Sequence, residues 1–569
     1  MKTPNLKFSQ YPFIVPTEKR ITNKLEKLVN DLKECGSSRT ASLAVKHWNK
    51  YGEELSTQLS LIAVKYTVDT TNKVYKKAQE RMDELSPLIS KYSNDYQKIM
   101  SKASFRKDLE KTYGKYLFKM YDNALKAFDE KIMPDLALEN KLVSQYDAVL
   151  GGAQIEFRGE TLNLPQLGKY MQDKDRATRK EAAQAMDKWL GEHEKEIGDI
   201  YSQLVAVRDS MAKKLGFKNF TDLGYLRLGR TDYNAKMVKK YREQIATEVV
   251  PVVQKLYKNQ MKGLGIKNPQ YYDYNLKFAS GNAHPVGDVN YIIDGTKGMF
   301  TDLSKESHEF INFMVDQELL DLVSRPGKAP GGYCTYFPIY KSPFIFANFN
   351  GTDDDVFTLA HECGHAFQAY LCSGIKIPEY QNPTLESCEI HSMSMEFFAW
   401  PYLDKFFGAE TEKAKYAHLT GALEFLPYGI SVDEFQHWVY EHPTATHDDR
   451  YAIWREIEKK YTPHKVYDDT PTLNKGTYWM RQSHIFGTPF YYIDYTLAQV
   501  VAFEFFLLDR KNHEKAWKKY VKLTKCGGKF PFVELLEKNH LKNPFEDGTI
   551  KKIIGPLTKI LKSFDTKNF

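Results

Sequence analysis

The spacing of apolar residues through the first 250 positions is the feature that most constrains the fold. Residues 17–33, 42–66 and 177–214 place apolar side chains three and four positions apart among Lys and Glu, and prolines are sparse. A helix gathers residues at this spacing on one face, because it turns once every 3.6 residues. The pattern therefore predicts long amphipathic helices and a mainly α-helical protein.

Charge and hydropathy exclude several classes of partner. The chain of 569 residues has 80 basic and 73 acidic residues, and the lysines are scattered among acidic residues rather than gathered in a stripe. We therefore expect no nucleic-acid partner. The longest apolar tract, 497–508, contains Gln499 and Glu504 and is shorter than the ~20 residues of a membrane-spanning helix. The basic stretch 551–562 alternates with Ile and Leu, which favours an amphipathic terminal helix.

The cysteines and the N-terminal residues suggest a compartment. The six cysteines show no C-x-x-C pair, as expected of free thiols in a reducing environment. The first residues contain no apolar run typical of a secretory signal. We therefore expect a cytoplasmic protein with no membrane partner.

Two local patterns divide the chain. Residues 155–164 alternate around Arg158-Gly159, which predicts a β-hairpin. Gly, Pro and aromatic residues become frequent from 263 to 340, where irregular structure that could build a site begins. We expect an N-terminal helical part over 1–190, with the hairpin near 155–164, and a catalytic part over 191–569.

The sequence HECGH at 361–365 is the strongest chemical signal. On a helix, His361 and His365 lie one turn apart on one face, so both imidazoles can reach one Zn²⁺. Glu362 lies beside them, within reach of a water on the metal. Thr352 is expected to cap this helix, and the three aspartates 353–355 complement its N-terminal dipole.

A third ligand must come from elsewhere in the chain. Gln368 and Leu371 stand where a metzincin has Gly and His, which excludes that class. The segment after Pro383 reads as a second helix with three carboxylates on one face: Glu386, Glu389 and Glu396. We expect the middle one, Glu389, to bind the metal, and Glu386 or Glu396 to orient a ligand imidazole.

HECGH followed by Glu389 in EIHSMSME resembles the thimet oligopeptidase and oligoendopeptidase F family of zinc metallopeptidases, especially the bacterial oligoendopeptidase F or Pz-peptidase branch. The resemblance implies one Zn²⁺ per chain on His361, His365 and Glu389, with Glu362 as general base. It also implies an elongated, two-lobed helical metallopeptidase with a deep substrate channel and a small β-sheet beside the HExxH helix. Short peptides are the implied substrates.

A third group of residues lies downstream in SHIFGTPFYYIDY. In this family a His, a Gly-containing loop and several Tyr donate hydrogen bonds to the substrate and the oxyanion. The resemblance implies that His484, Tyr492 and Tyr495 are catalytic and that Gly487 and Tyr491 contact the substrate. Gly487 is followed here by Thr-Pro, where thimet-type relatives have a Gly-Gly pair.

We therefore expect a zinc-dependent endopeptidase that hydrolyses internal bonds of short peptides, with a metal-activated water and Glu362 as base. The segment 344–350 is expected to form an edge strand whose backbone at Ala347 and Asn348 pairs with an extended substrate. Such backbone pairing predicts broad specificity.

Two alternatives remain at this stage. A zinc carboxypeptidase or dipeptidyl carboxypeptidase on a related helical fold needs a cation for the substrate's terminal carboxylate, and residues 351–400 contain no Arg. A peptide-binding protein with structural zinc needs a fourth protein ligand.

Overall fold

The computed structural model of the chain describes residues 6–325, 327–329 and 331–569. Helices make up 71% of it, which confirms the mainly α-helical prediction. Within these described ranges, no helix combines the length and apolarity that a membrane crossing requires.

Long helices joined by short loops form the N-terminal part. They are α1 (Glu18–Lys33), α2 (Ser38–Val68), α3 (Lys73–Lys102), α4 (Arg106–Tyr113), α5 (Lys115–Ala127), α6 (Met133–Gly151), α7 (Leu164–Tyr170) and α8 (Arg176–Lys214). The three periodic segments of the sequence correspond to α1, α2 and α8. Thr17 and Asp175 begin two of them by accepting backbone N–H bonds from the first helical turn.

The predicted hairpin lies between α6 and α7. Strands β1 (Ile155–Phe157) and β2 (Glu160–Leu162) pair antiparallel. Arg158 and Gly159 both have positive φ, at 53° and 85°, the conformation that two-residue hairpin turns need. The predicted division at residues 190 and 191 falls inside α8, which continues across it as one helix.

The rest of the chain adds shorter helices around a larger core. They are α9 (Phe220–Arg227), α10 (Ala235–Glu248), α11 (Val250–Gly263), α12 (Val289–Leu303), α13 (Lys305–Asp316), α14 (Asp354–Cys372), α15 (Leu385–Phe398), α16 (Asp404–Phe407), α17 (Thr411–Glu441), α18 (His447–Tyr461), α19 (Pro471–Lys475), α20 (Ser483–Gly487), α21 (Tyr492–Asp509), α22 (His513–Thr524), α23 (Phe532–Lys538) and α24 (Thr549–Ser563). The last of these is the predicted amphipathic helix, and all of its isoleucines and leucines except Ile560 are buried.

Short 3₁₀ turns connect several of these helices. They are Phe8–Gln10, Glu130–Ile132, Tyr271–Asn275, Pro338–Tyr340, Pro378–Tyr380, Trp400–Tyr402, Gly408–Glu410, Tyr478–Arg481 and Thr566–Asn568.

Two packing units correspond to the two expected lobes. The helices α1, α2 and α3 enclose their own apolar cluster, which includes Ile21, Leu55 and Met82. The helices α14, α15 and α21 lie in the main core, where α15 packs against both of the others. Helix α2 also contacts β4, a strand that lies beside α14.

A small sheet lies beside α14, as expected. Its strands are β3 (Leu320–Val323), β4 (Tyr333–Phe337) and β5 (Ser342–Phe349), in the order β3-β5-β4. Strand β5 is therefore central, parallel to β3 and antiparallel to β4. The prediction of an edge strand at 344–350 is wrong. Six consecutive residues of β5 are buried, a pattern typical of a strand that is covered on both faces.

The N-terminus of α14 also differs from its prediction. The Thr352 hydroxyl donates to Asn350 Oδ1 at 2.7 Å, and no side chain caps the helix at its N-cap residue, Asp353. Asp355 instead accepts the backbone N–H groups of Asn350 and Gly351. A carboxylate inside the first turn thus holds the loop that enters the helix.

Two chambers lie against α14 and α15. The first, of ≈560 Å³, is lined by β4, α2 and the HECGH residues, and we call it the β4 chamber. The second, of ≈820 Å³, is lined by residues of α7, α11, α14, α15 and α17 and of the 3₁₀ turn Tyr478–Arg481, and we call it the α17 chamber. Tyr495 lines both chambers. The expected deep channel is thus present as two neighbouring spaces.

Candidate active site

Helix α14 presents the two histidines of HECGH to the β4 chamber. His361 and His365 are each about one-fifth exposed at the side chain, as the spacing of one helical turn predicts. Glu362 between them is buried, and its Oε2 has no hydrogen-bond partner among the described residues. Burial raises the pKa of Glu362, which moves this carboxylate toward the range suited to a general base.

Gly364 in the same motif allows α15 to approach α14. A Cβ at this position would lie 2.5 Å from the backbone oxygen of His391 and 2.6 Å from Ser392 Cα, distances that no side chain tolerates. The sequence analysis assigned no role to this glycine. The close contact brings the middle carboxylate of α15 onto the histidine face of α14.

Glu389 completes a convergent donor set. Its Oε2 lies 3.2 Å from His361 Nε2 and 3.5 Å from His365 Nε2. One potential ligand atom from each of the three residues lies within 4.8 Å of the others. Two imidazole nitrogens and one carboxylate oxygen form the donor set of catalytic zinc sites that keep one position open. The residues therefore fit a zinc ion.

Two hydroxyl groups fix the carboxylate of Glu389. Ser392 Oγ donates to Oε2 at 2.8 Å, and the Tyr491 hydroxyl donates to Oε1 at 2.6 Å. Burial raises the pKa of Tyr491 strongly, so its hydroxyl stays protonated as a donor. Tyr491, expected to contact the substrate, is therefore placed against a candidate metal ligand.

Glu396 orients the first histidine. Its Oε1 lies 2.7 Å from His361 Nδ1, and its Oε2 lies 2.8 Å from His418 Nε2. Trp400 donates its ring N–H to His418 Nδ1 at 3.0 Å. This donation places the His418 proton on Nε2, facing Glu396, and Glu396 in turn holds a proton on His361 Nδ1. Nε2 is then the His361 nitrogen left for a metal, and it lies 3.2 Å from Glu389 Oε2.

Glu386 does not share this role. The structure brings it toward Arg230 and Asp494, and not to an imidazole of the described site. Burial raises the pKa of Glu386 to about 8, and the nearby Asp494 charge adds to the rise. The suggestion that Glu386 orients a ligand histidine is wrong, because one helical turn moves it into the core.

His484 is held by a hydrogen-bonded chain. The Tyr428 hydroxyl donates to Gln482 Oε1 at 2.9 Å, and Gln482 Nε2 lies 2.8 Å from His484 Nδ1. The amide therefore donates to Nδ1 and leaves the His484 proton on Nε2, which lies 3.5 Å from the Tyr495 hydroxyl. Burial lowers the pKa of His484, which favours the neutral ring.

The tyrosines and Gly487 are separated by the fold. Tyr491 and Tyr495 line the β4 chamber with the histidines, whereas Tyr492 lines the α17 chamber and packs against Phe425. Gly487 is exposed at the end of α20 and lines neither chamber among the described residues. The structure therefore does not bring Gly487 to the site, because α20 packs on α6.

Strand β4 takes the place expected of β5. Gly332 and the residues of β4 from Tyr333 to Tyr336 line the β4 chamber. A Cβ at Gly332 would lie 3.7 Å from Glu362 Oε1, so this backbone passes close to the base. The sequence analysis missed this edge because no residue pattern reveals the strand order.

Ala347 and Asn348 have structural contacts instead. The Ala347 oxygen accepts from Lys328 Nζ at 2.5 Å, and the Asn348 amide donates to the oxygens of Ala329 and Gly331 at 2.8 Å each. In the described part of the chain, neither residue lines a chamber. The structure therefore does not support their predicted role in pairing with a substrate.

Two family models match the chain. The model described as Peptidase family M3 matches residues 169–554. The model described as Peptidase M3 N-terminal domain matches residues 8–128. Together they span both packing units of the fold.

Solved structures and a curated relative agree with these models. A Pz peptidase A with an inhibitor has a TM-score of 0.96 and 45% identity, covering 99% of this chain and 100% of that chain. An oligoendopeptidase F from Bacillus anthracis has a TM-score of 0.92 and 43% identity, covering 99% of each chain. An oligoendopeptidase F homologue from Borreliella burgdorferi is 24% identical over 72% of this chain and 69% of its own length.

Proposed function

The chain belongs to Peptidase family M3 and is a metalloendopeptidase; on this premise we propose that it hydrolyses internal bonds of short peptides with one zinc ion held by His361, His365 and Glu389. The observation that carries the proposal is the convergence of these three donors beside the partnerless Oε2 of Glu362. The β4 chamber that contains these groups and the α17 chamber, which shares Tyr495 with it, leave room for an extended peptide.

Glu362 is the proposed general base. A zinc ion bound there would act as a Lewis acid on the scissile carbonyl and on the attacking water. Glu362 takes a proton as water attacks the carbonyl carbon and later delivers a proton to the leaving amine. Its burial and its free Oε2 leave the carboxylate available for both transfers.

Tyr495 and His484 are the proposed donors to the oxyanion. Burial raises the pKa of Tyr495, so its hydroxyl keeps the proton that it donates. The amide of Gln482 places the His484 proton on Nε2, the nitrogen nearest Tyr495. Donors fixed before reaction stabilise developing negative charge without reorganisation.

The edge of β4 is the proposed binding surface for the peptide backbone. The strand pairs with β5 on one side only, and it lines the chamber that contains Glu362. Pairing of an extended peptide with this edge would give affinity with little regard to side chains. Broad specificity follows from this arrangement.

Metal analysis and cleavage mapping test the proposal. We expect about one zinc per chain, loss of hydrolysis on chelation and recovery on addition of zinc. A peptide blocked at both ends should be cut internally, with fragments identified by mass spectrometry. Release of only terminal residues, with blocked peptides left intact, would instead favour the carboxypeptidase alternative. Activity that survives complete removal of metal would refute the proposal.

A further inference from the structure

The segment 485–490 connects the two proposed donors to the oxyanion. His484 precedes it in α20, and Tyr495 follows it in the first turn of α21. The segment contains the sequence Gly-Thr-Pro, which is typical of a loop rather than of a helix. The distance between the donors is 3.5 Å from His484 Nε2 to the Tyr495 hydroxyl, and it therefore depends on how this segment is held.

Arg208 of α8 binds the carbonyl groups at the start of the segment. Its Nη2 donates to the oxygen of Phe486, and its Nη1 lies 3.5 Å from the oxygen of Ile485. Its Nε donates to Glu139 Oε1 at 2.7 Å, and its side chain is fully buried. The last carbonyl groups of a helix have no partner within that helix. The planar fork of this guanidinium therefore supplies donors to the end of α20.

Arg230 binds the other end of the segment. Its Nη2 donates to the oxygen of Phe490 and to Asp494 Oδ1, at 2.6 Å each. Gln436 of α17 accepts the backbone N–H of Phe490 through Oε1 at 2.9 Å. The side chains of Arg230, Asp494 and Gln436 are all buried. Both polar backbone groups of Phe490 are therefore bonded to side chains of other elements.

Phe490 has a backbone conformation that needs such support. Its φ is 68°, in the left-handed region that bulky side chains seldom adopt. Its buried ring packs against His437 and Tyr440, with ring centroids 4.9 and 5.4 Å away. Gly224 makes room for this ring, because a Cβ there would lie 2.8 Å from Phe490 Cδ2. Such a conformation persists only where the surrounding structure enforces it, and residues of this kind cluster at active sites.

Three side chains from distant parts of the chain thus hold one segment, and we call Arg208, Arg230 and Gln436 the 485–490 clamp. They lie on α8, in the loop after α9 and on α17. Each arginine also forms an ion pair with a buried carboxylate, which compensates its charge in the core. Because the charges are compensated in this way, the remaining N–H groups can donate to the backbone of the segment.

We propose that the members of the 485–490 clamp are positioning residues, which hold this segment in one conformation and thereby place His484 and Tyr495 for the developing oxyanion. The inference rests on the proposed peptidase function and deepens it. Donors that are fixed before reaction stabilise the transition state without first being ordered. Loosening the clamp should lower kcat and leave KM nearly unchanged, because the proposed backbone pairing with β4 does not involve this segment.

Hydrogen exchange measured by mass spectrometry tests the clamp without any turnover. The samples are the full-length wild type, Arg208→Lys and Arg230→Lys, each loaded with zinc. Lysine keeps a positive charge beside the buried carboxylate but lacks the fork of a guanidinium. We expect amide exchange in peptides that cover 485–491 to rise by about 10-fold in each variant, the effect of one lost hydrogen bond. Exchange in α14 should not change.

Kinetics show whether the clamp acts through the two donors. We expect each lysine variant to lower kcat by about 10-fold, less than the loss of a donor itself, with KM and zinc content unchanged. The same substitutions are then made in backgrounds that lack a donor, as Arg208→Lys with His484→Asn and Arg230→Lys with Tyr495→Phe. Residues that act as a unit give losses that do not multiply. We therefore expect a further loss of less than about twofold in these backgrounds.

Arg179→Lys is the matched control. Arg179 lies on the same helix as Arg208, is buried, and bonds to the carboxylate of Asp273 and to the backbone oxygens of residues 173 and 174. It repeats the bonding pattern of Arg208 on a different loop. We expect Arg179→Lys to leave both kcat and the exchange of 485–491 unchanged.

Gln436→Met changes the clamp with the least disturbance of the core. It removes the acceptor of the Phe490 N–H, keeps a side chain of similar length and leaves both ion pairs in place. We expect faster exchange at Phe490 and a lower kcat, and almost no further loss in the Tyr495→Phe background. This variant provides the same readouts if a lysine variant fails to fold.

The outcomes separate this inference from the proposed function. Unchanged exchange of 485–491 in the clamp variants that fold overturns the clamp. Faster exchange with an unchanged kcat, or losses that multiply in the backgrounds that lack a donor, overturns the positioning role. The proposed function fails separately, if the zinc-loaded wild-type protein hydrolyses no peptide, because the exchange measurement does not depend on that activity.

Discussion

The β4 chamber and the α17 chamber adjoin the same tyrosine but offer a peptide different chemistry. The β4 chamber contains the strand edge, the two histidines and the partnerless carboxylate of Glu362. The α17 chamber contains His484 and residues that orient others, such as Glu396 and His418. The candidate metal ligands and the candidate base thus lie in the β4 chamber, whereas His484 and the groups that orient His361 line the α17 chamber.

Glu362→Gln gives the largest expected effect, because it removes the base from the β4 chamber. We expect kcat to fall by about 10²–10⁴-fold, the usual contribution of a general base, while zinc content stays near one per chain. Cleavage rates and elemental analysis measure the two quantities. Glu309→Gln, at an exposed glutamate of α13, is the control. Full activity of Glu362→Gln would remove the proposed base.

Tyr495→Phe and Tyr492→Phe compare the two chambers along one helix. Tyr495 lines both chambers, and we expect its loss to lower kcat by about 10²–10³-fold, as for other oxyanion donors. Tyr492 lines only the α17 chamber, so its loss should have a much smaller effect. Steady-state kinetics of both variants on one peptide measure the two losses of kcat. Equal losses would contradict the separation of the chambers.

Glu396→Gln tests whether the α17 chamber acts through the metal ligands. The carboxylate orients His361, so we expect metal affinity to fall by about 10–100-fold, with kcat largely restored at saturating zinc. Competition with a chelator measures the affinity. Glu386→Gln should leave metal affinity unchanged, because Glu386 lies toward Arg230 rather than an imidazole. A weaker metal site in Glu386→Gln alone would reverse our assignment.

Substitutions that loosen the loop before α14 have the smallest expected effect, and it is an effect on stability. Asp355→Ala removes the acceptor of two backbone N–H groups and should lower the free energy of unfolding by about 1–3 kcal/mol. Thr352→Val should cost less, because the Thr352 hydroxyl bonds only to the Asn350 side chain and caps nothing. Urea unfolding measures both. A larger loss of unfolding free energy in Thr352→Val than in Asp355→Ala would support the predicted role of Thr352 as the helix cap.

Local sequence was sufficient for much of the helical framework. The helices α1, α2, α8 and α24 follow from apolar spacing, and Arg158-Gly159 marks the hairpin. The HECGH spacing places two imidazoles on one face of α14 because helical geometry is fixed over a single turn. These features depend on residues within a few positions of one another.

Strand order and side-chain partners could not be predicted from local sequence. Nothing in residues 344–350 shows that β4 would occupy the outer edge, so the substrate strand was assigned to β5 instead. Among the three carboxylates of α15, spacing left Glu386 and Glu396 equivalent, and only the packed structure, in which Glu396 contacts His361 and His418, separates them. The tyrosines 491, 492 and 495 were likewise distinguishable only after α21 had packed.

The sequence by itself determined many of the helices and the placement of His361, Glu362 and His365 on one of them, since each depends on short-range periodicity. Only the tertiary structure decided which strand lies at the edge of the sheet beside Glu362 and which glutamate holds His361. These relations join residues far apart in the chain, and they depend on how closely packed helices direct each side chain.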